Sequence, residues 1–255
     1  MNIVACYKIV YDEQDVVVKP DRTLSFERAA LKIGDYDLNA VEAGAQLAVE
    51  HDATLIGLTA GGDSVMDSKI RKAILARGPQ ENVAVRDDAL DMAGSLKTAH
   101  VLAAAVRNLG DVDLILCGEG SADRYAQQVG IQLGEVLGLP TINGVTSIDL
   151  EEGVARVERV AGAEVERLEI PLPAVLSVVA DMNTPRIPSM KDILNAGKKP
   201  SRVLSLDEIG YENRDECIKI MSVEAPERRE RTCEILEGSD DKTMQEFIAR
   251  IRERL

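Results

Sequence analysis

The sequence predicts an α/β fold: an open, mostly parallel, doubly wound sheet with a C-terminal helical arm. Short apolar segments suited to buried strands alternate four times with helical segments along residues 1–140, which is the order typical of a parallel sheet covered by helices. Apolar residues make up 45% of the 255 residues but aromatic residues only 3%. The core is therefore expected to be aliphatic, as in parallel strands that are buried on both faces.

The first half of the chain supplies the alternating elements. Strands are predicted over 3–7, 54–59, 82–85 and 113–118. Asp37 is expected to cap the first helix and Ser64 to open the second, because both residue types favour helix N termini. The third helix is predicted over 90–109 and the fourth over about 127–137, and residues 11–32 are expected to form an irregular excursion or hairpin.

The alternation ends after Pro140. Two strand-like segments flank Ala161-Gly162 and predict a hairpin insertion near 150–170. A buried strand is predicted over 173–179. A loop with two prolines follows it and leads into a short helix over 190–196.

Residues 1–205 are predicted to form the α/β domain and residues 206–255 a C-terminal arm. The arm begins with a highly charged, weakly periodic stretch over 206–238 and ends in an amphipathic helix. The apolar residues of that helix recur at helical spacing: Met244, Phe247, Ile248, Ile251 and Leu255. The helix docks either on its own domain or on another chain. We favour another chain because a long polar stretch precedes the helix.

The charge and the cysteine content argue against several functional classes. The formal net charge of −14 disfavours nucleic acid, whose phosphates need clustered Lys and Arg, and disfavours anionic membrane surfaces. No segment approaches the roughly 18 apolar residues that a membrane-spanning helix needs, and the N terminus lacks the pattern of a signal peptide. The four cysteines lack CxxC spacing, which favours free thiols in a reducing cytoplasm.

The residues available for catalysis or metal binding are few. The chain has only two histidines, and no nucleophile, base and orienting acid can be assembled by spacing. Asp12, Glu13 and Asp15 form a short acidic group of the residue types that ligate cations, but an acidic loop is more often simply solvated. We therefore predict neither a metal site nor catalytic residues.

The loop after the fourth strand carries the strongest functional signal. It reads Gly118-Glu119-Gly120-Ser121-Ala122-Asp123-Arg124-Tyr125-Ala126-Gln127-Gln128-Val129-Gly130. In an open parallel sheet, ligands bind beyond the carboxyl ends of the strands. The small residues let the backbone approach a ligand, and the free N–H groups at the start of the next helix suit a phosphate.

Two interpretations of this glycine loop stay open from the residues alone. Either the loop binds a nucleotide, or Asp123 only caps the helix and the glycines only form the turn. The loop is not a G-x-G-x-x-G fingerprint, and the chain has no P-loop G-K-[ST] sequence. The sequence therefore argues against the dinucleotide-binding and P-loop classes.

Several separated motifs resemble the electron transfer flavoprotein β subunit along essentially the whole chain. They are Cys6-Tyr7-Lys8, Lys19-Pro20-Asp21, residues 36–42, the glycine loop with Asp123, Gln127-Gln128 and Gly130, Val157-Glu158-Arg159, residues 172–175, residues 183–186 and Lys198-Lys199. Each motif is weak alone, but their order and spacing are specific. The Tyr-Ala-Gln-Gln-Val-Gly run is most similar to the Fix-type branch of the family.

The resemblance implies an electron carrier and not an enzyme. Such a chain pairs with a larger α subunit that carries the redox FAD, and the pair passes electrons between partner dehydrogenases and acceptors. Its own groove holds AMP in ordinary members, or a second FAD that accepts hydride from NADH in electron-bifurcating members. Residues 1–205 are then the adenine-nucleotide-binding domain, and residues 206–255 are the arm that docks on the α subunit.

The resemblance also implies site residues. For the nucleotide groove these are Cys6, Asn39, Ala60, Gly118, Asp123, Gln127, Gln128, Val129 and Gly130, with the phosphate held by the amides of residues 127–130. The two-proline loop matches the family's recognition loop for partner dehydrogenases. Met190 takes the position of its apolar anchor, and Pro188 lies beside it. Phe247 and Ile251 are expected to face the α subunit.

The sequence departs from the family pattern at positions that bear on the ligand. Gly34-Asp35 replaces the usual Asn-Pro, and Arg124-Tyr125 replaces an acidic or small pair. A bulky Tyr125 crowds a pyrophosphate and favours AMP, whereas Val129 resembles the bifurcating members. We expect AMP.

Two other classes share this order of strands and helices. The main alternative is a stand-alone, nucleotide-sensing protein of the universal-stress type, which predicts a homodimer with ATP and gives the arm no role. An adenylate-forming enzyme or nucleotide hydrolase needs a Ser-Gly-Gly-x-Asp-Ser loop. The nearest stretch, residues 60–64, lacks the leading serine and has a different spacing.

Overall fold

The computed structural model describes residues 1–212, 218, 220–227 and 233–253. The chain divides into two compact units. The first unit comprises Met1–Val17 and Ser25–Ser222, and the second comprises Val18–Leu24 and Val223–Leu255. The first unit contains the sheet and the candidate site, and the second contains the last helix.

The helices and strands follow the alternation that the sequence predicts. In the described part of the chain the strands are β1 (Asn2–Cys6), β2 (Ile9–Tyr11), β3 (Val17–Val18), β4 (Leu24–Ser25), β5 (Leu31–Ile33), β6 (Thr54–Gly61), β7 (Glu81–Arg86), β8 (Leu114–Gly118), β9 (Thr141–Glu151), β10 (Val154–Ala161), β11 (Glu164–Pro171), β12 (Ala174–Val178) and β13 (Ser201–Leu204). The α-helices are α1 (Asp35–Glu50), α2 (Ser68–Leu75), α3 (Ser95–Leu109), α4 (Val129–Leu137), α5 (Met190–Ala196) and α6 (Asp241–Arg252).

One sheet of nine strands forms the centre of the first unit. Its strand order is β11-β10-β9-β12-β8-β1-β6-β7-β13. The strands from β9 to β13 in this order run parallel, and β10 and β11 join antiparallel at one edge. In β1, Ala5 pairs with Gly57 on one side and with Leu116 on the other. The open, mostly parallel α/β fold predicted from the sequence is thus confirmed.

Helices cover both faces of this sheet. Successive residues of a strand point to opposite faces, so Ile3 and Ala5 of β1 pack with α1 and α2, whereas Val4 and Cys6 pack with α3 and α4. All three residues from Leu114 to Leu116 of β8 are inaccessible to solvent. The sheet is therefore doubly wound, and its central strands need the aliphatic residues that the composition provides.

The predicted hairpin insertion is confirmed, but two strands of the nine-stranded sheet, β9 and β13, were not predicted. β10 and β11 pair antiparallel around Gly162, which has a φ of +66°. β9 was not predicted because Gly144, at a φ of +68°, interrupts its apolar pattern. β13 was not predicted because it is a short edge strand with only half-buried or exposed side chains.

α3 and α4 begin later than the sequence predicts. α3 begins at Ser95 and not at residue 90, because Asp88–Leu90 form a separate 3-10 turn and the extended Gly94 occupies the N-cap of the helix. α4 begins at Val129 because the backbone of Gln127 is left-handed, with a φ of 55°. In both cases a non-helical residue delays a helix whose apolar pattern starts earlier.

The predicted caps of the first two helices are also corrected. Gly34, not Asp37, occupies the N-cap of α1, and Asp37 lies inside the first turn. Asp67, not Ser64, caps α2 by accepting hydrogen bonds from two backbone N–H groups of the first turn. Ser64 lies in the 3-10 turn that precedes this helix.

The C-terminal stretch belongs partly to each unit. Leu206 and Ile209 are buried in the first unit. In the second unit, α6 confirms the predicted terminal helix and is capped by Asp240, and none of its residues is buried. Leu255, the last residue of the predicted apolar face, lies outside the described residues. Within the described ranges, no helix is both long enough and apolar enough to cross a membrane.

Candidate functional site

The sheet has a topological switch point between β1 and β8. From β1 the chain adds β6 and β7 on one side and later β8 and β12 on the other. A crevice forms at such a point, outside the carboxyl ends of the two strands. Here it lies between Tyr7-Lys8, which follows β1, and the glycine loop, residues 118–130, which begins at the end of β8. The loop with the strongest sequence signal is thus at the place where open α/β sheets bind ligands.

Asp37 links the two sides of this crevice. Its Oδ2 accepts a hydrogen bond of 2.7 Å from the Lys8 N–H, and its carboxylate also accepts one from the Gly118 N–H. Burial raises the pKa of Asp37 to about 7, against both hydrogen bonds and the positive charge of Lys8, which lower it. This role of Asp37 was not predicted from the sequence. The spacing of α1 could have indicated that Asp37 is buried, since it shares a helix face with the buried Val41 and Ala45.

Lys8 and Asp123 face each other across the crevice. Lys8 Nζ lies 2.5 Å from Asp123 Oδ2, and the two side chains are 43% and 41% exposed. Burial raises the pKa of Asp123, but hydrogen bonds from Lys8 and Ser121 outweigh it and hold the pKa below its usual value. Asp123 therefore connects the glycine loop to the end of β1, and Gln128, not Asp123, occupies the N-cap of α4.

Close packing requires two of the glycines in the loop. A Cβ on Gly118 would lie 2.6 Å from Asp37 Oδ1 and 2.7 Å from the Tyr36 carbonyl carbon. A Cβ on Gly120 would lie 2.6 Å from the ring of Tyr125. The loop backbone thus packs directly on the start of α1 and on an aromatic ring, and any side chain at these positions would disrupt that packing.

Tyr125 folds back over the glycine loop. Its backbone is left-handed, with a φ of 42°, and its N–H donates to the Ser121 carbonyl at 2.7 Å. Its ring centroid lies 5.2 Å from that of Tyr36. The two rings form an aromatic wall between the start of α1 and the loop.

The helix that follows the loop has no side-chain cap. Gln128 occupies its N-cap without a capping hydrogen bond, and the Gln128 Oε1 instead accepts from the Ser95 hydroxyl at 2.6 Å. Gly130, in the first turn, packs on β12 so closely that a Cβ would lie 2.1 Å from Ser177 Oγ. Val129 is half-buried beside it. Such an uncapped N terminus is a favourable position for an anion.

Neighbouring loops approach the glycine loop. Arg124 Nη1 donates to the Ala93 carbonyl at 3.1 Å, so the segment before α3 contacts this loop. Ala60 lies near the end of β6 and is paired with Val85. Ala60 lies two residues after Leu58, which pairs with Cys6 at the end of β1. It is therefore at the same edge of the sheet as the carboxyl end of β1.

Two residues assigned to the groove have other contacts. The Cys6 thiol is buried beside Cys117, and its hydrogen bond with Cys117 together with burial raises the pKa of Cys6 well above its ordinary value. It is therefore an inert thiol. Asn39 is buried, and its Nδ2 donates at 2.8 Å to the carbonyls of Ala180 and Asn183. The Asn39 Nδ2 group therefore holds the segment after β12 against α1.

The two-proline loop is tied to α1. The buried Glu42 accepts from Arg186 Nε at 2.6 Å and from its Nη2 at 3.0 Å. Burial raises the pKa of Glu42, but the hydrogen bonds from Arg186 outweigh it and hold the pKa below its usual value. Beyond this ion pair, Ile187 is 94% and Met190 74% exposed, and Pro188 is half-buried.

The acidic group near the N terminus has local partners. Asp12 caps a 3-10 turn, Glu13 pairs with Lys32 at 2.8 Å, and Asp15 accepts from the Ala30 N–H at 3.2 Å. Across the described ranges, no group of three or more His, Cys, Asp or Glu residues is arranged to hold a metal ion.

The fold and its crevice place the chain in the class of doubly wound α/β proteins whose sites lie at a switch point. A comparison with protein-family models matches residues 23–209 to the electron transfer flavoprotein domain. This match covers well over half of the chain, and the chain therefore belongs to the electron transfer flavoprotein family. Proteins with this domain are electron carriers and not classical enzymes, and the family generally binds FAD.

Proposed function

We propose that the chain is the β (small) subunit of a heterodimeric electron transfer flavoprotein of the Fix-type branch. With a larger α subunit it shuttles electrons between dehydrogenases and acceptors. The chain belongs to this family, and the observation that carries the proposal is its crevice. There the glycine loop contacts Asp37 and leads into the uncapped start of α4. The FAD shared with the α subunit supplies one- and two-electron chemistry, and the residues of this chain bind and orient the nucleotides.

The crevice has the groups that an adenine nucleotide needs. Gly118 and Gly120 let the loop backbone pack closely on Asp37 and the ring of Tyr125, and this packing fixes the backbone groups of the loop that an adenosine would contact. The uncapped start of α4 suits its phosphate. Lys8 adds a positive charge, and its exposed pair with Asp123 is worth only about 0–1 kcal/mol. Lys8 therefore exchanges this carboxylate for a phosphate at small cost.

The aromatic wall supports AMP over a second FAD as the ligand of this crevice. The Tyr125 ring lies against Gly120 and Tyr36 and narrows the loop side of the crevice. A mononucleotide with one phosphate demands less room there than a dinucleotide with a pyrophosphate. We therefore propose AMP as a structural ligand and no bifurcation of electrons.

Exposed apolar side chains support the proposal that the chain contacts both partner dehydrogenases and an α subunit. Met190, the first residue of α5, is exposed next to the loop that Arg186 ties to α1, and a flexible methionine suits contact with different dehydrogenases. Phe247 and Ile251 of α6 are 48% and 42% exposed, which suits docking on the α subunit. The described cysteines are free thiols, as expected in the cytoplasm.

Counting the bound nucleotides tests the proposal. The chain is co-expressed with the neighbouring α subunit, and the nucleotides released on denaturation are identified. We expect equal amounts of FAD and AMP in each heterodimer. FAD alone, at twice the amount of heterodimer, would make the crevice a redox site and AMP the wrong ligand. A chain that finds no partner and binds ATP would overturn the proposal in favour of a universal-stress-type protein.

A pair of glycine variants locates the AMP. Gly118→Ala is expected to lose AMP and to keep FAD, because its Cβ would collide with Asp37. Gly197→Ala is the matched control, since the nearest atom to its Cβ is 3.8 Å away. AMP retained by Gly118→Ala at the level of the control would place the nucleotide elsewhere.

A further inference from the structure

A short hairpin near the N terminus contacts the C-terminal arm. β3 and β4 pair as a two-stranded sheet, and residues 19–23 form the turn between them. The second compact unit contains residues 18–24 of this hairpin together with the chain from residue 223 onward. The turn of the hairpin therefore belongs with the arm, although the two lie far apart in the sequence.

The turn of the hairpin holds an arginine where glycine is preferred. The Lys19 N–H donates to the Thr23 carbonyl at 2.9 Å, and the Arg22 N–H donates to the Lys19 carbonyl at 2.9 Å. Three-residue hairpin loops of this kind end in a left-handed residue, and Arg22 occupies that position with a φ of 67°. This conformation is unfavourable for a residue with a Cβ atom. The side chain of Arg22 is therefore expected to have a role that glycine could not fulfil.

Arg22 contacts the arm through both its backbone and its side chain. Its carbonyl accepts a hydrogen bond of 2.9 Å from the Ala225 N–H. Its Nη2 lies 3.0 Å from Glu224 Oε2, and its Nη1 lies 3.4 Å from Glu227 Oε1. A single residue of the turn thus binds three residues of the arm.

Apolar burial does not hold this part of the arm. None of the side chains over residues 221–227 is buried, and Val223 is 57% exposed. The contacts with Arg22 therefore account for the attachment of residues 224–227 to the hairpin.

We infer that the β3–β4 hairpin anchors the arm and presents it to the α subunit, with Arg22 as the positioning residue. The inference rests on the proposed function, in which α6 docks on that subunit. A segment that is already held in its bound position loses less conformational freedom on association. An arm that is anchored at residues 224–227 therefore pairs more tightly than an arm that is free there.

A variant that keeps the turn but loses the guanidinium tests the anchor. Arg22→Gly retains the left-handed backbone and the carbonyl that accepts from Ala225, but it loses both ion pairs. We expect its Kd for the α subunit, measured by sedimentation, to rise about three- to tenfold, the effect of two exposed ion pairs. An unchanged Kd would overturn the inference. Arg156→Ala is the matched control, because this arginine also pairs with two exposed glutamates, and its Kd should stay within about twofold.

Cross-linking distinguishes an anchor from a contact that has to break before the subunits pair. In Arg22→Cys/Glu224→Cys a short bis-maleimide joins the hairpin to the arm, and Cys217→Ser and Cys233→Ser exclude other cross-links. The other two cysteines are buried. Before cross-linking we expect pairing as weak as in Arg22→Gly, and after it a Kd within about twofold of the serine parent. A cross-linked chain that no longer binds the α subunit would show that the arm leaves the hairpin on pairing, and would overturn the inference.

An exchange of charges shows whether the contact itself is responsible. Arg22→Glu is expected to weaken pairing more than Arg22→Gly does, because the new carboxylate repels both glutamates of the arm. Arg22→Glu/Glu224→Arg/Glu227→Arg restores opposite charges and should regain most of the affinity for the α subunit. A variant that recovers nothing would mean that these contacts do not position the arm.

Nucleotide content separates this inference from the proposed function. FAD and AMP are measured in every variant, and the wild-type heterodimer is the reference. Unchanged pairing of Arg22→Gly with normal nucleotide content refutes only the anchor. A wild-type chain that forms no heterodimer refutes the proposed function and the anchor with it.

Discussion

At the scale of single residues, Asp37 makes the stability of the fold depend on pH. Its pKa is about 7 in the folded chain, against an ordinary value of 3.8, so the folded state binds this proton more tightly than the unfolded state. The contribution of Asp37 to stability is therefore fully present below the ordinary value and is lost as pH rises through 7. The shift corresponds to on the order of 4 kcal/mol.

Replacing Asp37 by Asn tests this pH dependence. The amide keeps one acceptor but turns its NH₂ group toward one of the two N–H donors, which costs about 1–3 kcal/mol. We expect this deficit in the free energy of unfolding to be larger at about pH 5.5 than at about pH 8, where the native carboxylate has lost its contribution. Urea unfolding at both pH values measures it, with the exposed Asp149→Asn as control. A deficit independent of pH would contradict the assigned titration.

The ion pair of Glu42 and Arg186 provides a second prediction at this scale. Arg186→Ala leaves a buried carboxylate without its partner, and we expect a loss of about 2–3 kcal/mol in the free energy of unfolding. The matched control is Arg156→Ala, whose acidic partners are exposed, with an expected loss within about 1 kcal/mol. Amide hydrogen exchange over residues 183–189 is expected to accelerate only in Arg186→Ala. Equal losses in both variants would show that burial adds nothing to this pair.

The sequence predicted the residues of the crevice only in part. Gly118, Asp123 and Gly130 were named because they lie in one recognisable loop. Asp37 and Ser177 were not, because their contacts join residues far apart in the chain, and no local pattern encodes which strand ends become neighbours. Whether each assigned residue contacts a nucleotide stays a prediction.

At the scale of elements, the seating of α4 on β12 decides whether its N terminus faces the crevice. A Cβ on Gly130 would lie 2.1 Å from Ser177 Oγ and 3.4 Å from Cys117 Cβ. Gly130→Ala therefore pushes the first turn of the helix away from the sheet. We expect the heterodimer to lose AMP by at least about tenfold in affinity, which corresponds to 1.4 kcal/mol of lost contact.

A second substitution checks that the collision is the cause. Ser177→Ala removes the hydroxyl oxygen that a new Cβ would meet, so the double variant Gly130→Ala/Ser177→Ala is expected to regain part of the AMP affinity. Isothermal titration of AMP into nucleotide-free heterodimer measures both variants. Identical affinity in single and double variants would mean that the hydroxyl is not what displaces α4.

Elements with a strong periodic pattern were predictable, and their boundaries were less so. The core strands and the hairpin followed from apolar runs and alternation, because burial imposes those patterns. The start of α4 did not, because Gln127 is held in a left-handed conformation that no propensity favours. β13 was not predicted for another reason. It is a short edge strand that forms by pairing with β7 and not by burial of its own side chains.

At the scale of the whole molecule, the apolar face of the terminal helix α6 is exposed. Met244, Phe247, Ile248 and Ile251 are between 42% and 49% exposed, and none of the described residues of α6 is buried. An amphipathic helix of twelve residues is only marginally stable in water without packing of its apolar face. We therefore expect the α subunit to cover that face.

Deleting residues 239–255 is expected to weaken heterodimer formation, and side-chain variants show which face is responsible. Phe247→Ser/Ile251→Ser removes about 2–4 kcal/mol of apolar burial if the face is covered, which weakens pairing by more than about thirtyfold. Lys242→Ser/Glu253→Ser alters exposed polar positions of the same terminal segment and should leave pairing unchanged.

Co-purification and sedimentation with the α subunit measure the effect of these variants on pairing. Because the crevice proposed for AMP lies in the first unit, AMP affinity should survive the apolar variant, so that loss of pairing with intact AMP binding isolates the arm as the docking element. Unchanged pairing after the deletion would refute this role.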